Sequence, residues 1–135
     1  MKSINYEKIL SFFLWLVALH SLSVGIGLII MPDSFMKSLG YEFCDERFFR
    51  SQGGVFHIAM AVGYVMAAYN SKRFECLVIF SIVVKLIATI FLFSYAFFIN
   101  PLIVIVLSGI SDFMMGVIIL YIYKKTKNIV EVKNE

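Results

Sequence analysis

The apolar positions of this chain are not scattered. They gather into four runs, residues 9–31, 49–69, 76–99 and 101–123, separated by short polar breaks. About 20 predominantly apolar residues suffice for a helix to cross a hydrocarbon core of about 30 Å, so each run is long enough to span a bilayer. The pattern predicts an all-α bundle of four transmembrane helices in a single domain covering residues 1–135. The second run is the most diluted, because Ser51, Gln52, Gly53, Gly54 and His57 fall in its first half. Between the first two runs, residues 32–39 place Phe35, Met36 and Leu39 on one side and Asp33 and Lys37 on the other, which predicts a short interfacial helix in the first outer loop. Gly40 should stop it in a left-handed cap. Residues 70–73 and Asn100-Pro101 read as tight turns, with Pro101 in the first turn of the last helix, where its missing N–H is no loss. Residues 124–135 read as a polar, frayed cytoplasmic tail.

Composition agrees with this reading. Of 135 residues, 61% are hydrophobic, and the mean hydropathy is +0.89, far from the roughly 45–50% apolar content of soluble domains. The net charge of +3 is carried at the ends of the apolar runs rather than along a basic stripe, which argues against a nucleic-acid partner. Cys44 and Cys76 form no CxxC and no metal spacing, and are expected to be unpaired thiols. The first run is 23 residues long and ends in Met31-Pro32-Asp33 without a cleavage site, so it reads as a retained span rather than a secretory signal.

The cationic flanks set an orientation. Lys2 and Lys8 precede the first span, Lys72 and Arg73 occupy the second loop, Lys124, Lys125, Lys127 and Lys133 follow the fourth span, and the third loop is uncharged. Lys and Arg mark the cytoplasmic side, so both termini and the second loop are expected to face inward, in a bacterial cytoplasmic membrane. The first loop, with Asp33, Glu42, Asp45 and Glu46 against Lys37, Arg47 and Arg50, would face outward.

Each span nevertheless contains an ionisable side chain: His20, His57 (with Arg50 at the outer end of its span), Lys85 and Asp112. A charge at the bilayer centre costs about 2.5–3.5 kcal/mol on insertion scales, so such groups turn inward and find partners. At about 1.5 Å per residue, His20, Lys85 and Asp112 lie roughly 13–17 Å from a membrane face and His57 roughly 12 Å, which puts all four in one layer. Arg50, Gly53, Gly54, His57, Ala61, Tyr64 and Ala68 share one face of the second span. Ser81, Lys85 and Thr89 share a face of the third, Ser108, Asp112 and Gly116 of the fourth, and His20, Val24 and Gly27 an edge of the first. Gly53, Gly54 and Gly116 are the expected points of close helix packing. The candidate ligand-binding residues are therefore His20, Arg50, His57, Lys85 and Asp112.

Lys85 and Asp112, at matched depth on adjacent antiparallel helices, read as an ion pair. It either fixes helix register or joins the histidines in lining a polar pocket or relaying a proton; Lys85 could alternatively snorkel to the surface. Two His and one Asp are too few to suggest a metal site. Arg50 has Glu46 one turn earlier as a salt-bridge partner, or could reach a lipid phosphate or anionic ligand.

Between residues 27 and 123 the layout resembles the DoxX-like group of small four-helix integral membrane proteins. The resemblance is carried by Met31-Pro32-Asp33-Ser34-Phe35-Met36-Lys37-Ser38-Leu39-Gly40, by Arg50-Ser51-Gln52-Gly53-Gly54 and by the polar-centred third and fourth spans. Arg50, Gly53 and Gly54 match the group's pattern, whereas His57 and Lys85 match no shared motif. Some members of the group are similar to small subunits that pass electrons to membrane quinones. The resemblance thus implies an accessory protein that binds a lipophilic molecule, a quinone or a lipid, with a membrane-protein partner or a second copy of itself as company. Alternatives are a membrane-embedded enzyme with His20 or His57 as acid/base oriented by Lys85 and Asp112, a small proton-coupled transporter without an evident inverted repeat, and a purely structural assembly partner.

Overall fold

The computed structural model describes residues 5–41 and 47–134, with side chains as far as 128. It contains five helices: α1 (Tyr6–Ile30), α2 (Asp33–Ser38), α3 (Phe48–Tyr69), α4 (Glu75–Phe98) and α5 (Ile103–Asn134). Glu42, Cys44, Asp45 and Glu46, and with them the proposed Glu46–Arg50 pair, lie outside the described residues, as does Lys2.

The ends of the helices follow local chemistry. The Asn5 side chain accepts the Lys8 N–H at 3.2 Å and caps α1, with Glu7 favourably placed in the first turn. α1 stops at Met31, whose extended backbone (φ −61°, ψ 133°) is the conformation that a following proline imposes. The short helix expected in the outer loop is present as α2. It ends in a Schellman arrangement, with the N–H of Gly40 donating to Lys37 O at 2.9 Å and that of Tyr41 to Met36 O at 3.2 Å. Gly40 has φ +90° and is the residue that makes this turn possible without strain.

Two expectations at the end of the chain are corrected. Pro101 precedes α5 instead of occupying its first turn: the helix starts at Ile103, and the Leu102 carbonyl accepts the N–H groups of Ile105 and Val106. The tail is helical rather than frayed: α5 continues without a break to Asn134. Its extension is anchored where the Tyr123 hydroxyl and Lys127 Nζ both donate to Glu75 Oε1, at 2.5 and 2.7 Å.

α1, α4 and α5 are long and apolar enough to cross a membrane. α3 has the length, 22 residues, but not the apolarity, since Arg50, Ser51, Gln52 and His57 occupy its first turns. Large apolar side chains such as Phe12, Leu19, Phe56, Ile87, Ile90, Phe91 and Leu107 are exposed on all sides, the surface that lipid rather than water would solvate. The chain is a small multi-span membrane protein.

The long helices form two antiparallel pairs, α1 with α3 and α4 with α5, joined edge to edge through α1–α5 and a shorter α3–α4 contact. Without a hydrophobic driving force in lipid, helices associate where backbones approach closely and polar groups bond across. In the first pair a Cβ placed on Gly54 would lie 2.6 Å from the Gly25 carbonyl oxygen, so the two backbones touch there. Ser11 and Ser21 add hydroxyl bonds to the carbonyls of Ala68 (2.5 Å) and His57 (2.9 Å) on α3. In the second pair Gly109 packs against Leu92 and Phe93, and Gly116 against Cβ of Lys85. Gly53, by contrast, has only Leu28 within reach, at 3.9 Å, and is not a close-packing point.

The core shared by both pairs is confined to one half of the bundle. Among the described residues it consists of Leu10, Leu14, Val17 and Ala18 of α1, Tyr64, Ala67 and Ala68 of α3, Val78 and Ile82 of α4, and Ile119 and Ile122 of α5. All of these lie toward the end bearing the α3–α4 turn. Toward the other end, buried positions pack within a pair, as Gly25 does on Gly54 and Gly109 on Phe93.

Candidate functional site

The boundary between these halves is polar. One turn beyond Ile82 on α4, Lys85 is 4% exposed, and two turns before Ile119 on α5, Asp112 is 8% exposed. Lys85 Nζ donates to Asp112 Oδ1 at 2.5 Å, which makes the pair the most buried salt bridge among the described residues. The ammonium also lies 5.6 Å from the centroid of the Tyr64 ring, a cation–π contact from α3. The remaining hydroxyls of the α4 face are occupied locally, Ser81 with Leu77 O and Thr89 with Lys85 O, so they stabilise the helix rather than the pair. Lysine has three N–H donors and a carboxylate about four acceptor positions, so one mutual bond leaves both groups with unused capacity.

The two histidines flank this pair unequally. His57 on α3 is half-buried, with Nδ1 3.4 Å from Ser21 Oγ. His20 on α1 is the more exposed of the two. Both imidazoles nonetheless lie within electrostatic reach of Lys85 and Asp112 and of each other. The inner face expected for α1 is therefore displaced. The buried line runs through Leu14, Val17, Ala18, Ser21 and Gly25 rather than His20, Val24 and Gly27. On α5, Ser108 is exposed and bonds its own helix at Val104 O, while Ile105, Gly109, Asp112, Gly116 and Ile119 face inward. The faces of α3 and α4 are as the sequence implies, with Gly54, Ala61, Tyr64 and Ala68, and Ser81, Lys85 and Thr89, all buried.

Arg50 does not join the layer. Its guanidinium donates to Asp33 Oδ1 at 3.1 Å and to the Met31 carbonyl at 3.0 Å, and Arg47 takes the other Asp33 oxygen at 2.5 Å. Arg50 thus ties the end of α1 and the start of α2 to the start of α3. The hydrogen bond from Arg47, reinforced by both arginine charges, holds the Asp33 carboxyl below the usual carboxylate range. Nε of Arg50 is buried and has no partner among the described residues. Past α2, Gly40 abuts Leu102, and burial together with the nearby Tyr95 pushes the Tyr41 phenol up, so the outer loop reaches across to the α4–α5 end.

Two members of the site were not singled out as such by sequence reasoning. Tyr64 appeared only as one position of a stripe, and Ser21 was hidden beside His20. Their signal is heptad-like spacing to buried neighbours, which becomes legible once the partner helix is known. Among the described residues no three His, Cys, Asp or Glu side chains gather as a metal site. Comparison with protein-family models, with curated proteins and with solved structures gives no match for this chain.

Proposed function

We propose that this protein is a four-span accessory protein of the DoxX-like kind. It would hold a lipophilic molecule with a polar head, a quinone or a lipid, between its two helix pairs. The head group sits at the Lys85–Asp112 level, beside His57 and His20, and the apolar part lies between the pairs in the half that lacks a shared core. The observation that carries this reading is that asymmetry of packing. The apolar core shared by the two helix pairs lies on one side of the buried ion pair, buried positions on the other side pack within a pair, and the ion pair keeps hydrogen-bonding capacity that a head group at its level could use. α3 is then the fourth span, with Arg50 turned to Asp33 and the end of α1, and His57 to Ser21 of α1, rather than to lipid.

Mild detergent extraction followed by organic extraction and mass spectrometry should recover a quinone or phospholipid in near-stoichiometric amount from the wild type, and much less from His57→Leu. Absence of any retained lipophile, together with no rise in Tm on adding short-chain quinone analogues, would overturn the proposal.

Both termini and the α3–α4 turn are assigned to the cytoplasmic side, on the strength of Lys8, Lys72, Arg73, Lys124, Lys125 and Lys127 gathering at that end. A membrane-impermeant maleimide applied from outside should modify Cys44 and spare Cys76. Labelling of Cys76 alone would reverse the orientation.

A further inference from the structure

The cationic end of the bundle contains a cleft of about 330 Å³ that the reading above does not use. Leu10 of α1 forms its apolar floor. Ser71 and Lys72 of the α3–α4 turn, Glu75 of α4, and Tyr123, Thr126 and Lys127 of α5 form its walls. Ser71 is 9% exposed, and its hydroxyl bonds to none of the described residues. It also lines a second groove on the surface of α1 and α3, where Phe12, Trp15, Ala68 and Tyr69 lie beside Asn5, Glu7, Lys8, Ser11 and Asn70. Among the described side chains two carboxylates face this region, and both are already compensated. Glu75 accepts from Tyr123 and Lys127, and Glu7 pairs with Lys72 at 2.8 Å. Against them, among the described side chains, stand six cations at this end: Lys8, Lys72, Arg73, Lys124, Lys125 and Lys127.

We propose that this cleft binds the phosphate head group of an acidic phospholipid. Lys72 and Lys127 hold the phosphate with the donors left over from their carboxylate bonds, Ser71 Oγ donates to it from below, and one acyl chain lies in the groove beside Trp15. The physical case is the coincidence of three features at one depth. The hydroxyl of the nearly buried Ser71 stays accessible without a partner among the described residues, Lys72 and Lys127 line the cleft from different elements, and a second groove leads from that serine past Phe12 and Trp15 on the lipid-facing surface. A soluble anion would use the first two alone. Basic residues just beyond a membrane span are attracted to anionic lipid in any case; the cleft turns a diffuse attraction into a site. It also accounts for the anchoring of the α5 extension through Tyr123 and Lys127, which keeps Lys127 over the cleft.

Trp15 is the sole tryptophan and adjoins the groove, so its fluorescence reports the occupant. With the protein in mixed vesicles, phosphatidylglycerol brominated on its acyl chains should quench Trp15 at a several-fold lower mole fraction than brominated phosphatidylcholine. Lys72→Gln with Lys127→Gln should erase that preference, whereas Lys124→Gln with Lys125→Gln, which removes the same charge outside the cleft, should largely keep it. Ser71→Leu fills the cleft without changing charge and should also erase it. Equal loss in both lysine pairs, or a preference that survives Ser71→Leu, would show diffuse surface attraction and overturn the site. Relief of quenching by inorganic phosphate would assign the cleft to a soluble anion and overturn the lipid assignment; no relief supports it.

Discussion

Lys85→Met is expected to destabilise the protein in detergent by about 3–5 kcal/mol, and Asp112→Leu by a similar amount, because each leaves one buried charge without its partner. The double variant should recover much of that loss, since a desolvated ion pair replaced by apolar groups of similar volume is often nearly neutral. The geometry makes this a strong test. The side chains of Lys85 and Asp112 are 5% and 12% exposed, they meet at 2.5 Å, and the ammonium lies 5.6 Å from the centroid of the Tyr64 ring. Denaturant midpoints for the four members of the cycle give the coupling directly. Additive losses would mean that the two residues do not stabilise each other. The same proteins separate the roles of the pair. A stable double variant that still retains its lipophile assigns the pair to helix register alone, and one that is stable but empty assigns it to the ligand.

Gly54→Ala should cost about 1–3 kcal/mol, the range for inserting a methyl group where there is no room. A new Cβ there meets the Gly25 carbonyl oxygen at 2.6 Å and a side-chain carbon of Ile29 at the same distance. The first of these is backbone and cannot rotate away, so α1 and α3 must separate. Gly25→Ala should behave alike, since its Cβ would lie 2.7 Å from Gly54 O. Gly63→Ala is the internal control. It lies on the same helix with nothing within 4 Å, and it should be neutral or gain up to about 0.5–1 kcal/mol from the better helix residue. If Gly54→Ala and Gly63→Ala unfold at the same denaturant concentration, the α1–α3 contact is not the close one described above.

Some features were legible without a fold. The helix count and the approximate helix limits followed from the lengths of the apolar runs, because a chain solvated by lipid must satisfy its backbone internally and helices are the economical way to do so. α2 and its stop at Gly40 followed from local rules too, as did the meeting of Lys85 and Asp112, which needs only matched depth and the aversion of a charge for lipid. What the apolar runs did not reveal was which side of α1 faces inward. In lipid, inward and outward faces are both apolar, so periodicity loses its contrast, and His20 drew attention to an edge of α1 that is not its buried line, whereas on α5 Asp112 and Gly116 marked the inner face and only Ser108 is exposed. Only tertiary structure selected Ser21 and Gly25 as the contact line of α1, because that choice depends on where Gly54 and the His57 carbonyl of another helix lie. It also decided that Arg50 ties down the outer loop through Asp33, a residue 17 positions away, instead of entering the polar layer. The confinement of the shared core to one half was likewise beyond the sequence, since it depends on how two helix pairs meet and belongs to no single helix.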